Sequence, residues 1–348
     1  MISGARIKLY IFNLSTDDKD PLLAFNQEWV RSFQALCDKV TVISTHVGAH
    51  SLPNDIDVVE IGGGSLVKRV SGFLNLLRVG CRIVGNRKNA IVFHHMSPRT
   101  ALILGPVLRI SRIAQGLWYS HSNASIELRI ASRFVNVLFS SSAQSLPISS
   151  RKARFVGHGI NISQYSNSVI GNRKEAVLSL GRVDRIKHNE ALIHAMAKSN
   201  RKEKAIDLVG PSKNSPAYVR ELMALGDKNG VVVNYLGEVE HNLTPGLLNQ
   251  YSICYTGNPN TVDKSVIEGA LSGCFTIAEQ EFVLDQTGMS EVLRKCNMVF
   301  SSDLTQQIAQ ADQLLERDDL RELLARTCAE MNDVDKTTMK ILKELIKL

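Results

Sequence analysis

The alternation of strand-like and helical segments constrains the fold of this chain more than any other feature of its sequence. Six short apolar runs rich in strand-forming residues fill its first part, at 7–14, 40–44, 58–61, 90–93, 116–119 and 135–140. Five more follow residue 154, at 176–180, 205–209, 231–236, 253–256 and 275–278. Because helical patterns separate these runs, each series predicts a parallel, doubly wound α/β sheet.

Helical patterns and length together define the predicted domains. The chain has 348 residues, more than one hydrophobic core usually organises, since domains cluster near roughly 100 to 200 residues. We predict domains at 1–160 and 161–332, and a C-terminal helix at 333–348 that packs back on the first domain. The helical patterns behind this division are 25–36, 66–84, 100–113, 190–198, 216–229, 245–251, 265–272, 304–316, 319–331 and 336–348.

Cysteine usage and the N-terminus favour a cytoplasmic location. The six cysteines are scattered and form neither a CxxC pair nor a His/Cys cluster at metal-ligand spacing, so neither a disulfide framework nor a zinc site is expected. The first residues lack the features of a signal peptide, and no apolar run approaches the roughly 20 residues that span a bilayer.

The stretch 178–197, LSLGRVDRIKHNEALIHAMA, carries the most chemistry. A predicted strand ends at Gly181, Arg182 and Lys187 follow on the loop, and a helix is expected to begin near residue 189. Ligands of open α/β sheets bind beyond the carboxyl ends of strands, where two cations can hold a diphosphate and offset the charge of a departing nucleotide. A solvated basic loop is the alternative.

A second stretch, 265–278 (SVIEGALSGCFTIA), places Glu268 in the expected first turn of a helix. A carboxylate there can accept hydrogen bonds from both hydroxyls of a ribose, and the N–H groups at the helix start attract phosphate. The alternative is an acidic residue that only stabilises the helix dipole, by roughly 0.3 to 1 kcal/mol.

Together these motifs resemble family 4 glycosyltransferases of the GT-B fold. The resemblance rests on G-R-x4-K at 181–187, EGALSG at 268–273 and VGHGIN at 156–161, and it covers nearly the whole chain. A subgroup of that family is similar at DPLLAF (20–25), FHHMSP (93–98) and WYSH (118–121). The resemblance to this family implies two Rossmann-like domains that face each other across a cleft.

The resemblance also implies a retaining transfer and assigns roles by position. Arg182 and Lys187 would bind the donor diphosphate, Glu268 would hold the nucleotide ribose, and His121 would lie beside the transferred sugar. For His121 the alternative is a strand-end histidine with its hydrogen bonds satisfied. Of the pair His94 and His95, one ring is expected in the core and one at the cleft. Further predicted donor-binding residues are Gly159, Gly181, Lys264, Ser265 and Val266.

Two departures from the family pattern stand out. The family often carries two glutamates separated by seven residues, and Asn260 occupies the first of these positions. An amide cannot take a catalytic or strong charge-stabilising role, so either Asp263 substitutes or the carboxylate is dispensable. The pair Asp263-Lys264 resembles the subgroup, which favours substitution. The glycine-rich first loop of the family is replaced by residues 15–20, which places the acceptor side in doubt.

Two further patterns are set aside as sites. The D-x-D sequence at 55–57 resembles a metal motif of another glycosyltransferase fold, but it follows Pro53-Asn54 and is predicted to be a turn, so no metal is expected. The glycines at 62–64 lack the G-x-G-x-x-G order and a GK[ST] ending, and are predicted to form a flexible connection.

Basic charge is concentrated in the first part of the chain. Residues 1–157 hold 19 Lys and Arg against 9 Asp and Glu. Many of these cations alternate with apolar residues across 66–88, and 109–112 extends the pattern, which predicts either a surface for anionic lipid headgroups or a core-packed helix with solvated cations. Nucleic acid is disfavoured because aromatics make up only 6% and no nucleic-acid motif is present.

These observations favour an enzyme that moves a sugar from a nucleotide-diphosphate donor to a glycan or lipid-linked acceptor, without a metal or other cofactor. Two alternatives remain open. A sugar-nucleotide epimerase on the same fold would need only the donor. A non-catalytic protein that binds the nucleotide sugar as a scaffold is suggested by Asn260.

Overall fold

A computed structural model describes residues 6–20, 23–62, 66–165, 173–212 and 216–348. Within them the chain forms two compact units, one of Met1–Asn161 with Asn332–Leu348 and one of Ile162–Met331. Pro21 and Leu22 of the motif at 20–25, Gly63 and Gly64, and part of the connection between the two sheets lie outside the described ranges.

The first unit is built on a seven-stranded sheet in which every pairing is parallel. Its order is β3-β2-β1-β4-β5-β6-β7. The strands are β1 Lys8–Thr16, β2 Lys39–Val47, β3 Asp57–Glu60, β4 Ala90–His95, β5 Ala114–Trp118, β6 Val137–Ser140 and β7 Ala153–Phe155. The helices before the second unit are α1 Asn26–Gln34, α2 Leu66–Gly85, α3 Pro98–Ile110 and α4 Ile126–Phe134.

The second unit is built on a five-stranded parallel sheet of order β10-β9-β8-β11-β12. Its strands are β8 Lys174–Leu180, β9 Ala205–Val209, β10 Val232–Gly237, β11 Tyr251–Thr256 and β12 Phe275–Ala278. Its helices are α5 Asn189–Lys198, α6 Pro216–Asn229, α7 Thr244–Leu248, α8 Lys264–Leu271, α9 Glu281–Thr287, α10 Met289–Lys295, α11 Leu304–Leu314 and α12 Asp318–Asn332.

The last helix, α13 (Val334–Ile346), returns to the first unit. Its residues Ile341, Leu342 and Leu345 are buried in the same core cluster as Trp29 and other side chains of α1 and the sheet. Burying each such aliphatic side chain contributes roughly 1.5 to 3 kcal/mol, so α13 is held mainly by apolar packing. None of the helices in the described part of the chain is long and apolar enough to cross a membrane.

Strand order in the second sheet determines where a ligand can bind. The chain runs outward from β8 through β9 to β10, and then returns to the other side of β8 with β11 and β12. The direction of winding therefore reverses between β8 and β11, and a crevice opens at the carboxyl ends of these two neighbouring strands. The loops that follow Leu180 and Thr256 border this crevice.

Candidate functional site

The loop after β8 begins with a glycine that no other residue could replace without strain. Gly181 has φ +128°, in the region that favours glycine, and its amide donates to Val209 O at 2.8 Å. Gly210, at the end of β9, packs so closely that a Cβ there would lie 2.6 Å from the carbonyl carbon of Gly181. These contacts hold the end of β8, and a short 3₁₀ turn, Arg185–Lys187, then brings Lys187 back over it.

Lys187 forms a nearly buried ion pair with Asp263. Its Nζ lies 2.5 Å from Asp263 Oδ2, and the two side chains are only 10% and 16% exposed. Asp263 also accepts hydrogen bonds from Thr256 Oγ1 and, at 3.1 Å, from Asn258 Nδ2. Burial disfavours the ionised carboxyl, but the charge of Lys187 and these hydrogen bonds outweigh it, so the pKa of Asp263 is lowered.

The start of α8 is attached to the end of β8. Ser265 Oγ donates to Leu180 O at 2.7 Å. A Cβ on Gly181 would lie 3.7 Å from Ser265 Oγ and 3.1 Å from Lys187 Nζ, so the three residues meet at one point. Val266 is buried, with 2% of its surface exposed, and anchors this first turn in the unit. The amino end of α8, with its partial positive charge, therefore borders Lys187.

Glu268 lies in the second turn of α8, and the prediction that it lies in the first turn is wrong. The helix begins at Lys264, one residue earlier than expected, with Asp263 as its N-cap. Glu268 is buried, and Lys264 Nζ lies 3.2 Å from its Oε1, an ion-pair distance without hydrogen-bond geometry. A helix dipole acts mainly on the first turn, so stabilising it does not account for this buried carboxylate.

Arg182 follows Gly181 directly but is held differently from Lys187. Its side chain is 56% exposed, and Nη1 lies 3.5 Å from Asp184 Oδ2. Exposed pairs of this kind contribute little to stability, which leaves Arg182 available to reach a ligand beyond the strand end.

Four residues that the sequence reasoning missed form or support the backbone next to Lys187. His188 has the left-handed φ of 46°, and its Nδ1 lies 2.9 Å from Glu279 Oε2. Tyr255 Oη lies 3.0 Å from His188 O and 3.2 Å from Glu279 Oε1. A Cβ on Gly257 would lie 2.5 Å from Lys187 O, so only glycine fits there. The only signal in the sequence was that Glu279 and Gly257 each follow an apolar strand directly.

Two predicted site residues, His121 and Gly159, belong to the first unit. His121 is exposed; its N–H donates to Ser145 O at 3.0 Å, and its Nδ1 accepts from Asn123 N at 3.0 Å. Gly159 has φ +64°, accepts a 2.8 Å hydrogen bond from Trp29 Nε1, and leaves only 2.6 Å between a would-be Cβ and Trp29 Cε2. Within this unit Gly159 is therefore a core-packing glycine.

Both histidines at the end of β4 are buried, so the expectation of one in the core and one at a cleft is wrong. His94 stacks on Phe12 and its Nδ1 lies 2.8 Å from Thr100 Oγ1, whereas His95 stacks on Trp29 at a centroid distance of 4.5 Å. They are 0% and 2% exposed. Burial lowers the pKa of both to about 3, so both rings are neutral at physiological pH.

The D-x-D sequence does not form a joint site. Asp55 accepts hydrogen bonds from Gln34 Nε2 at 2.7 and 2.6 Å, whereas Asp57 pairs with Lys39 at 2.7 Å. The turn predicted for 55–57 is found at 54–55 with a bend at residue 56, whereas Asp57 is already the first residue of β3. Among the described residues no group of three or more His, Cys, Asp or Glu side chains is placed to hold a metal ion.

The two neighbouring helices α2 and α3 expose a mixed apolar and basic surface. Val70, Phe73, Leu74, Val107 and Ile110 are 58%, 47%, 47%, 51% and 84% exposed. Exposed cations accompany them; the described ones are Arg78, Arg82, Arg87, Lys88, Arg109 and Arg112, whereas the side chains of Lys68 and Arg69 lie outside the description. Leu76 and Ile83 of α2 and Leu104 and Leu108 of α3 are buried in one core cluster, so both helices pack on the core and also expose this surface.

Comparison with solved structures shows the fold over the whole chain. Anabaena HepE in complex with UDP is 15% identical, with a TM-score of 0.70 over 98% of this chain and 100% of that chain, and it has also been solved with UDP-glucose. A glycosyltransferase from Rickettsia africae is 13% identical, with a TM-score of 0.71 over 98% of both chains. A Listeria monocytogenes protein provisionally described as a UDP-N-acetylglucosamine 2-epimerase is 12% identical, with a TM-score of 0.58 over 97% of this chain and 95% of that one.

No protein-family model and no curated protein matches the sequence. At identities of 12 to 15% the structural likeness speaks for the fold, and the two doubly wound sheets agree with it. The chain therefore has the α/β GT-B fold.

Proposed function

We propose that the chain is a glycosyltransferase whose second unit holds a nucleotide-diphosphate sugar. The observation that carries the proposal is the meeting of Gly181, Lys187, Asp263 and Ser265 at the switch point of the second sheet. A nearly buried lysine beside a helix start is suited to an anionic ligand, because both favour negative charge. HepE, which shares the fold, binds UDP and UDP-glucose, so these are the first donors to test.

Catalysis in this proposal is electrostatic. Lys187, Arg182 and the N–H groups of Lys264, Ser265 and Val266 offset the charge that develops on the departing diphosphate. Buried Glu268 accepts hydrogen bonds from the ribose hydroxyls of the donor. Transfer with retention of the anomeric configuration and without a metal follows the resemblance to family 4. His121 is the proposed contact to the transferred sugar, and its ring is exposed.

Asp263 takes over part of the role that Asn260 cannot fill. Asp263 lies three residues after Asn260 and directly before α8. Both of its carboxylate oxygens accept protein hydrogen bonds, from Lys187 and Thr256 at Oδ2 and from Asn258 at Oδ1. We therefore assign Asp263 the task of orienting Lys187, rather than direct contact with the sugar.

The test measures donor binding and product formation with the full chain. Thermal shifts with a panel of nucleotide sugars should show one or more that raise the melting temperature, because a ligand of the native state stabilises it. Lys187→Met should lose transfer, whereas Arg294→Gln, which alters an exposed cation elsewhere in the unit, should not.

Product analysis separates the alternatives. An altered sugar nucleotide formed without any acceptor would establish an epimerase, and tight donor binding without turnover over a broad acceptor panel would establish a scaffold. Either result would contradict the proposal. NMR of the product gives the anomeric configuration, and turnover in EDTA tests independence from metal.

A lipid-linked acceptor at the cytoplasmic face of a membrane is the acceptor class we favour. The exposed apolar residues Phe73, Leu74 and Ile110, with the cations beside them, fit an anionic headgroup surface. Sedimentation with phosphatidylglycerol vesicles should show binding that Arg78→Glu/Arg82→Glu weakens by about fivefold or more per charge. Equal binding to neutral phosphatidylcholine vesicles would refute the electrostatic part.

A further inference from the structure

A cavity of about 600 Å³ lies at the amino ends of strands of the second sheet, whereas the candidate donor site lies at their carboxyl ends. Part of its lining comes from the starts of strands: Arg173 and Lys174 lie at the start of β8, Lys202 before β9 and Ser252 at the start of β11. The rest comes from the segment 312–321, from the end of α11 into α12. The candidate donor site follows the carboxyl ends of β8 and β11. Since β8 has seven residues, about 20 Å separates its two ends.

Three guanidinium groups line this cavity and are fixed by the protein. Arg321 is 4% exposed, donates to Gly273 O and Leu315 O at 2.8 Å each, and lies over the Phe275 ring at 4.6 Å. Arg173 donates to Tyr251 O and, at 2.9 Å, to Ser272 O.

The third guanidinium, Arg201, has a side chain that is only 6% exposed, and it donates to Glu175 O at 2.6 Å. Burial and the neighbouring charge of Arg173 lower the pKa of Arg321 to about 10, as expected where cations crowd.

Two donors of this group have no hydrogen-bond partner in the described chain. They are Arg201 Nη1 and Arg173 Nε, both buried. The carboxylate nearest to Arg201 does not satisfy it, because Asp312 Oδ1 lies 3.6 Å from Arg201 Nε and is itself without a hydrogen bond. Buried unsatisfied donors on charged groups are costly, and their usual explanation is an additional partner.

The other carboxylates that line the cavity are exposed, and among them Asp318 lies within ion-pair distance of a buried cation, with its Oδ1 3.9 Å from Arg321 Nε. Glu175, Glu316 and Asp318 are exposed to solvent, where water and salt screen their charge. Lys174 and Lys202 are exposed as well and add positive charge at the same place. The interior of the cavity therefore offers guanidinium donors beside Asp312, whereas its other acidic groups are exposed.

We propose that this cavity is a second anion site of the enzyme, which binds a phosphate group through Arg201 and Arg173. Guanidinium groups hold phosphate oxygens with short, charge-assisted hydrogen bonds, and several arginines around one cavity suit a compact multivalent anion. The site lies apart from the candidate donor site, so its occupancy is independent of whether the chain transfers a sugar.

The test titrates the full chain with inorganic phosphate and with pyrophosphate at constant ionic strength, and follows binding by calorimetry. Pyrophosphate should also reach the candidate donor site, so binding to this cavity is read in the donor-site variant Lys187→Met/Asp263→Asn, which should keep it. Arg201→Gln should bind at least about tenfold more weakly, since it removes a charge-assisted donor. Asp312→Asn should bind more tightly, because it removes the nearest negative charge. Arg294→Gln is the matched control and should not change binding.

Two outcomes would overturn the proposal. One is the absence of phosphate and pyrophosphate binding to wild type at millimolar concentration. The other is binding that the donor-site variant abolishes and Arg201→Gln leaves intact. If Arg201→Gln does not fold, wild-type crystals soaked in tungstate provide the test. The anomalous signal of tungstate beside Arg201 and Arg173 would support the proposal, and its absence there would overturn it.

Discussion

Replacing Lys187 by methionine tests the central ion pair of the candidate site. Methionine keeps most of the side-chain volume but leaves Asp263, which is 16% exposed, without its cation. Removing one partner of a buried pair costs about 3–5 kcal/mol. Thr256 and Asn258 continue to donate to the carboxylate, so we expect the lower end, about 3 kcal/mol.

Urea unfolding measures this loss. With a denaturant slope of about 3 kcal/mol/M, a loss of about 3 kcal/mol lowers the midpoint by about 1 M. The double variant Lys187→Met/Asp263→Asn should recover most of it, because neither charge is then left alone. The lowered pKa of Asp263 means that the pair stabilises the native state above the unfolded pKa of about 4 and loses this effect as the pH falls through the folded pKa. The difference between wild type and Lys187→Met should therefore shrink in acid.

Transfer activity should separate from stability in the same variants. The double variant regains stability but still lacks the ammonium group, so its kcat should stay about 10²–10³-fold below wild type. If the free energy of unfolding of Lys187→Met lies within about 0.5 kcal/mol of wild type, the ion pair is not a buried one, since surface substitutions have effects of that size. Recovery of activity along with stability would show that Lys187 is structural only.

Three further predictions concern single residues. Gly159→Ala forces a Cβ onto Trp29 at positive φ and should destabilise the first unit by about 1–3 kcal/mol, measured by tryptophan fluorescence during urea unfolding. Glu268→Gln should weaken UDP binding about tenfold in calorimetry, because a charged acceptor is lost. This role concerns the ligand, so it requires no change in the melting temperature of the free protein. His94 and His95 have pKa values lowered to about 3, so between pH 6.5 and 3 only the unfolded chain binds their protons. As the pH falls through this range, each histidine should lower the free energy of unfolding by about 1.4 kcal/mol per pH unit. His95→Phe should halve the combined slope of the two histidines, measured by urea unfolding at a series of pH values.

The buried strands and long helices could be predicted well because their patterns are continuous. The ranges expected for β9, β12 and α6 are those found, Ala205–Val209, Phe275–Ala278 and Pro216–Asn229. The strand β7 was missed because its three residues are partly or fully exposed and form no apolar run. The helices α9 and α10 were missed because each has only seven residues, too few to show a helical period, and Gly288 separates them.

The histidine prediction failed for a reason that lies in the sheet. Alternation along a strand does send His94 and His95 to opposite faces, as their partners Phe12 and Trp29 show. In a parallel sheet of this type helices cover both faces, so opposite faces are equally buried. The alternation rule for exposure holds for sheets with one open face and does not apply to β4.

Contacts in the candidate site between distant segments could not be predicted from the sequence, for a different reason. Lys187 and Asp263 are 76 positions apart, and His188 and Glu279 are 91 apart. Only the strand order, with β8 beside β11 and β11 beside β12, brings these loops together. The residue types could be chosen from chemistry, whereas their partners required the topology.

The partners also change what the candidate donor site can do before a ligand arrives. Each of its three cations already has a carboxylate nearby: Asp263 lies 2.5 Å from Lys187, Glu268 3.2 Å from Lys264, and Asp184 3.5 Å from Arg182. Pairing avoids isolated buried charges in the free protein, but a diphosphate must then share or displace carboxylates to reach the cations. Donor affinity should therefore be weaker than three unpaired cations would provide, and the exposed Arg182, whose pair is the loosest, should be the first to engage the ligand.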